Sequence, residues 1–298
     1  MSISAASITP LSLRLAELDR FHTLVFAGGG NRCMWQAGVV TWLRQQGFQW
    51  PRNLVGTSAG AGVAAALLAQ RAEHAFDVCK QLYAGNAHLV NRDALKRLRL
   101  RFGHEHIFPA WIAAYVNADT FDALRTCGTR LRVAITHPSR WLGVHGSVVA
   151  ATLAYMVDKH LAHSIHPRLP TWLGLKQGFF DLQDCSNVEE AQRLLYVAGS
   201  AAPFMPLKQW RGAVALDGGY IDNAPIPPQG QAERESTLVL LTRHYPGLPS
   251  AFQWRDRSYW QPSKPVPVST FDCTAKTNID AAWTLGEIDA RGMFSATS

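Results

Sequence analysis

The sequence predicts an α/β fold, a parallel sheet covered by helices, and three observations carry that prediction. Two apolar runs, "HTLVFAGGG" and "NLVGT", alternate with helical stretches within the first 72 residues. That strand-helix-strand-helix order is the signature of a parallel sheet with helical cover. Further strand-like runs recur as "LRVAIT" (131–136), "AVAL" (213–216) and "TLVLLT" (237–242). At 298 residues and 47% hydrophobic content, the chain can bury a large core. It reads as one domain over 1–298, with a motif-bearing core at about 21–244 and a proline-rich extension plus helix at 245–298.

In chain order, "MSISAASITPLSLRLAELDRF" lacks a basic start followed by a continuous apolar stretch, so no signal peptide is expected. In "MWQAGVVTWLRQQG", Trp35, Val39, Trp42 and Leu43 fall at helical spacing and Gly47 can stop the helix. "AGAGVAAALLAQRA" reads as one apolar helix over 59–72. In "DTFDALRTC", Asp119 is the expected N-cap and Asp122 supplies a carboxylate to the first turn. "RDALKRLRLRF" (92–102) has the pattern of a basic interfacial helix, which also suits a solvated helix packed on its own domain. "PTWLGLKQGFF" (170–180) suits either a lid or acyl-chain wall, or a plain core segment. "QPSKPVPVS" (261–269) is expected to be extended, and "TAKTNIDAAWTLGEIDA" to be helical.

Charge and cysteine content narrow the class. There are 29 Lys+Arg against 22 Asp+Glu, a field that favours anionic partners. Five cysteines, widely spaced and without a Cys-x-x-Cys, fit free thiols in a reducing, cytoplasmic setting. The longest apolar run, Ala59 to Ala69, falls short of the ~20 residues that a bilayer core requires, so any membrane contact is peripheral.

Three motifs carry chemistry. "GTSAG" (56–60) joins a strand to a helix, and Gly-x-Ser-x-Gly in that context is the nucleophile-elbow pattern, although Ser58 could equally cap the helix. "GGGNR" (28–32) ends the preceding strand, and bare amides there can converge on an anion as an oxyanion hole or a phosphate cradle. The dinucleotide reading fails, because the last glycine position holds Cys33 and no acid occurs from 21 to 72; a P-loop fails for want of Gly-Lys-Ser/Thr. "VALDGGYIDNAP" places Asp217 at the end of an apolar strand. There a carboxylate can take a serine proton if the site is dry, and a turn aspartate is the alternative.

GGGNR, GTSAG and DGG, in this order, resemble the patatin-like phospholipase family. The likeness runs through "LVFAGGGNRCMWQAGVVTWLRQQGF" and "LVGTSAGAGVAAALLA", and returns in "SAAPFMP" with "DGGYIDNAP"; residues 75–190 match loosely. It implies a three-layer α/β/α sandwich with a mainly parallel central sheet and a Ser/Asp dyad without histidine. Ser58 would attack an ester carbonyl, Asp217 would be the base, and the amides of Gly28, Gly29 and Gly30 would hold the oxyanion. Arg32 would orient that loop or meet lipid phosphate, and Cys33 departs from the family's usual glycine. The partner implied is a lipid substrate, with no nucleic acid, no cofactor and no metal. The same acyl-Ser58 would also serve an acyltransferase or thioesterase, and the fold a non-catalytic lipid-binding protein. A rival α/β-hydrolase would pair Ser58 and Asp217 with His244. His160, His163 and His166, and His104 with His106, lack the spacing and companions of a zinc set.

Overall fold

The computed structural model describes residues 8–91, 100–158 and 164–295. The five apolar runs marked in the sequence form β2 (Thr23–Phe26), β3 (Asn53–Thr57), β4 (Arg130–His137), β7 (Ala213–Asp217) and β8 (Thr237–Leu240). Around them lie β1 (Thr9–Pro10), β5 (Lys176–Asp181), β6 (Lys208–Trp210), β9 (Ala251–Trp254) and β10 (Arg257–Trp260). The strand order is β1-β9-β10-β8-β2-β3-β4-β7-β6, with β5 also on β4. The centre, from β10 through β8, β2 and β3 to β4, is parallel, and the antiparallel pairs sit at both flanks.

Continuous apolar strands are what a sheet buried on both faces requires. Leu24, Phe26, Leu54, Leu238 and Leu240 point into one core, and Val25, Val55 and Val239 into the other. The first face carries α1 (Met34–Gln45), α2 (Ala59–Leu68), α3 (Ala72–Ala84), α4 (His104–Tyr115), α5 (Ala118–Thr126) and α8 (Val188–Ala198). The other is covered directly by Ile165, Ala224 and aromatic side chains of the 245–259 region, while α6 (Gly143–Val157), α7 (Leu169–Trp172) and α9 (Gln231–Glu235) contribute no side chain to either core. The sheet flanked by helices is the expected α/β architecture, with layers of unequal thickness.

The C-terminal helix α10 (Ile279–Ser295) lies directly on α1. Glycines permit that approach, since a Cβ on Gly286 would stand 2.1 Å from the Trp35 carbonyl and one on Gly38 2.2 Å from that of Trp283. Trp35 Nε1 donates to Asp289 Oδ2 at 2.7 Å, so the pair is tied as well as packed.

Two local expectations are corrected. The helix expected over 59–72 is two, because Gln70 adopts φ 55° between α2 and α3. Asn117, not Asp119, caps α5; its side chain accepts from the amides of Asp119 and Thr120, and Thr120 returns the bond. Residues 170–180 divide between the short α7 and the edge strand β5. Most of the basic stretch 92–102 lies outside the described residues.

Candidate active site

Ser58 occupies the sharp turn between β3 and α2, with φ 54° and ψ −135°. Such a backbone costs an L-residue about 1–3 kcal/mol. The flanking glycines make room for it, because a Cβ on Gly56 would stand 2.5 Å from Ala61 Cα, and one on Gly60 2.5 Å from the Ala27 carbonyl. Ser58 sits at the N-cap position of α2, yet its side chain makes no capping bond. The hydroxyl instead donates to Asp217 Oδ2 at 2.6 Å. The helix-cap reading therefore fails, and the serine leaves the first amides of α2 to favour nearby negative charge.

Asp217 ends β7 and is 6% exposed. The strand that carries it runs antiparallel to β4, not parallel as its position in the sequence suggested. It reaches Ser58 through register: Leu216 pairs with Thr136 and Asp217 with Ile135, one residue beyond the Thr57–Ala134 pair. Its Oδ1 accepts from the Gly219 amide at 2.7 Å, so one oxygen closes the turn while the other meets the serine. Burial raises its pKa to about 6, and the bonds from Ser58 and Gly219 restrain the rise. The carboxylate is thus a stronger base than an exposed aspartate.

The three glycines are held from several sides and do not act alike. The Gly28 amide donates to the Asn223 carbonyl at 2.6 Å, and its own carbonyl accepts from Thr242 Oγ1 at 2.5 Å. That amide is already engaged, which corrects the expectation that all three would point at one anion. Among the described residues, the amides of Gly29 and Gly30 donate to no protein acceptor. No larger residue fits either position, since a Cβ would come within 2.3 Å of Thr242 Oγ1 at Gly29 and 2.1 Å of the Thr270 carbonyl at Gly30. Arg32 Nε donates to the Gly29 carbonyl at 3.3 Å. Cys33 is fully buried with Sγ 3.5 Å from the Ala27 carbonyl, and burial pushes its thiol far up. Its thiol therefore stays protonated and enclosed beside the loop.

Ser58 and Asp217 stand between two cavities. The inner one, about 60 Å³, is lined by apolar side chains such as Val63, Ile107, Trp111 and Met205, a shape for carbon chain rather than for a charged group. His104 is in that wall, and burial lowers its pKa to about 4, so it stays neutral there. The outer groove, about 240 Å³, is roomier and is bordered by Arg32, Tyr220 and Asn223 together with apolar Met156, Pro203 and Phe271. Phe204 and Phe271, stacked with centroids 4.6 Å apart, border both.

Supporting residues escaped the sequence reading. Gln36 Nε2, fully buried, donates to the carbonyls of Ala27 and Leu240 and ties the ends of β2 and β8. Asn31 is gripped by Tyr83 and by the carbonyls of Ser269 and Asp272. Asn31 and Asn223 lie within the GGGNR and DGGYIDNAP motifs, whereas Thr242 and Gln36 lie in a strand run and a helix where nothing in the pattern marks a supporting role. His244 Nδ1 faces the Pro262 carbonyl at 2.9 Å, and the described partners of Asp217 include no histidine, so the Ser-Asp-His alternative has no geometry here. His166 is bound to Asp222 and Tyr259, while His160 and His163 lie outside the described residues. Among the described residues no three His, Cys, Asp or Glu gather as a metal site.

No curated protein matches the sequence. The solved structure of VipD from Legionella pneumophila is similar over 80% of this chain and 52% of that one, with 12% identity and a TM-score of 0.38. This chain thus spans about half the length of that one. The family model described as patatin-like phospholipase matches residues 24–228, a span that takes in all three motifs and more than two thirds of the sequence. The chain belongs to the patatin-like phospholipase family.

Proposed function

We propose that this protein is a serine acyl hydrolase that cleaves lipid esters, of the phospholipase A or lysophospholipase type, through a Ser58–Asp217 dyad. Membership of the family supports lipid acyl hydrolysis in general. The observation that carries the finer reading is the 2.6 Å bond from the strained, non-capping Ser58 hydroxyl to a buried carboxylate.

In this reading Ser58 Oγ attacks the ester carbonyl carbon while its proton passes to Asp217 Oδ2. The amides of Gly29 and Gly30 and the N-terminus of α2 stabilise the oxyanion. Gly28 serves the same end indirectly, because its engaged amide fixes the loop to Asn223. Collapse of the tetrahedral adduct breaks the bond to the leaving alkoxide, which takes the proton from Asp217. Water then attacks acyl-Ser58 and gives its proton to Asp217; collapse of this second adduct breaks the acyl–Oγ bond, the serine oxygen takes that proton from Asp217, and the fatty acid leaves. The acyl chain takes the inner cavity, and the leaving group takes the outer groove beside Arg32. We further propose that the chain works as one domain, with the α10 helix built into the core that supports α1.

A panel of phospholipids, lysophospholipids and neutral esters, assayed with wild type and Ser58→Ala, tests the proposal. Fatty acid release by wild type should fall by at least about 10³-fold in the variant. Equal release by both proteins would assign the chemistry elsewhere.

A further inference from the structure

We infer that the exposed face of α6, flanked by Trp141 and Trp172, is the surface by which the protein adsorbs to an anionic lipid bilayer. The inference rests on the lipid-ester reading and adds to it where the substrate is met.

Helix α6, "GVHGSVVAATLAYMV", contains no Asp, Glu, Lys or Arg. It buries only the small side chains of Ser147, Ala151 and Ala154. Its larger apolar side chains form an outward face, with Val149 59%, Leu153 61%, Met156 45% and Val157 47% exposed, while Val144 and Val148 are half-buried. Trp141, just before it, is 93% exposed and Trp172 in α7 is 76% exposed. Helix α7 packs against α6, and a Cβ on Gly174, just beyond α7, would lie 3.6 Å from the Trp141 ring, so these side chains share one region. Single exposed apolar residues need no explanation, but a whole helical face with two tryptophans marks an interaction surface. Tryptophan is the side chain suited to the boundary between water and lipid.

Two observations identify the occupant. The first is continuity: Thr152, Tyr155 and Met156 of this same helix border the outer groove that leads to Ser58. A bilayer seated there would present ester carbonyls at the groove's mouth. The second is charge. Between residues 123 and 180 the only acid is Asp158, which is buried and 3.8 Å from an Arg243 nitrogen. Arg140, Arg168 and Lys176 are exposed in the same stretch. An apolar face whose own segment supplies exposed cations and no exposed carboxylate fits anionic headgroups over buried acyl chains. No described helix is long and apolar enough to cross a membrane, so the contact is interfacial.

The test sediments the full chain, carrying Ser58→Ala to keep the lipid intact, with vesicles of phosphatidylcholine and phosphatidylglycerol in equal parts. In parallel, proteins with Ser58 intact hydrolyse water-soluble p-nitrophenyl butyrate. Trp141→Ala with Trp172→Ala should cut vesicle binding by about tenfold or more, leave the soluble ester's hydrolysis unchanged, and be rescued by phenylalanine at both positions. A second variant, Leu153→Gln with Val157→Gln, should behave as the alanine pair does. Undiminished sedimentation in both variants overturns the inference. So does a dimer of the wild type that these substitutions dissolve in the absence of any vesicle binding. Failure of the wild type on the soluble ester would instead count against the hydrolase reading, whatever the vesicles show.

Discussion

At the residue scale, Asp217 has two effects of opposite sign. In the proposed role of base it must be ionised, so kcat/KM should rise with pH through an apparent pKa near 6 and level off above it. For folding, the raised pKa means that the native state binds this proton more tightly than the unfolded chain, whose carboxyl keeps its ordinary 3.8. That contribution to stability is fully present below pH 3.8 and is lost as pH rises through about 6. Asp217→Asn should therefore abolish turnover and yet raise stability at pH 8 by roughly 1–3 kcal/mol in thermal denaturation. An asparagine variant that is both inactive and less stable would make Asp217 a structural anchor. Both members of the pair were legible in the sequence because each sits in a short glycine-bracketed motif. What the motifs could not reveal is that Ser58 leaves its helix uncapped.

At the element scale, the glycine loop is a piece of backbone held in place by neighbours remote in sequence. Thr242 Oγ1 is the contact to the Gly28 carbonyl, and Thr242→Val keeps the shape while removing the donor. That substitution should lower kcat by about tenfold or more with little change in KM, and cost about 1 kcal/mol of stability. A kcat equal to wild type would show that the loop holds its form without Thr242. The strands that support this loop were legible where burial on both faces writes an unbroken apolar run. The flanking antiparallel strands were not. In "AFQWRDRSYW" the hairpin β9–β10 turns on Arg255 and Asp256 at φ 49° and 64°, a conformation that glycine or asparagine usually announces. Here Arg255 stacks over Trp254 and Asp256 pairs with Arg234, so tertiary contacts support a turn that the local sequence does not advertise. β5 was hidden for a different reason: "KQGFFD" lies at a flank with half-buried side chains and shows no alternation.

At the scale of the whole molecule, the site exists because three distant segments finish at one end of the sheet. β2 delivers the glycines, β3 the serine, and β7, against the grain of its neighbours, the aspartate. Order along the chain was enough to suggest that β2 and β3 meet, because strand-helix units bring successive parallel strand ends to a common edge, whereas Asp217 joins them through the antiparallel register of β7 on β4. The direction of β7, the fit of α10 onto α1 through Gly38 and Gly286, and the apolar outer face of α6 depend on contacts that no short stretch encodes. The central claim is that the Ser58 oxygen becomes covalently acylated. It is tested most directly by labelling the intact protein with a fluorophosphonate and mapping the modified peptide by mass spectrometry, with ester hydrolysis followed on the same sample. The account predicts one label, on Ser58, whose appearance parallels the loss of hydrolysis and which Ser58→Ala eliminates. Hydrolysis that persists in protein fully labelled at Ser58, or a label that inactivates from another residue, would contradict it.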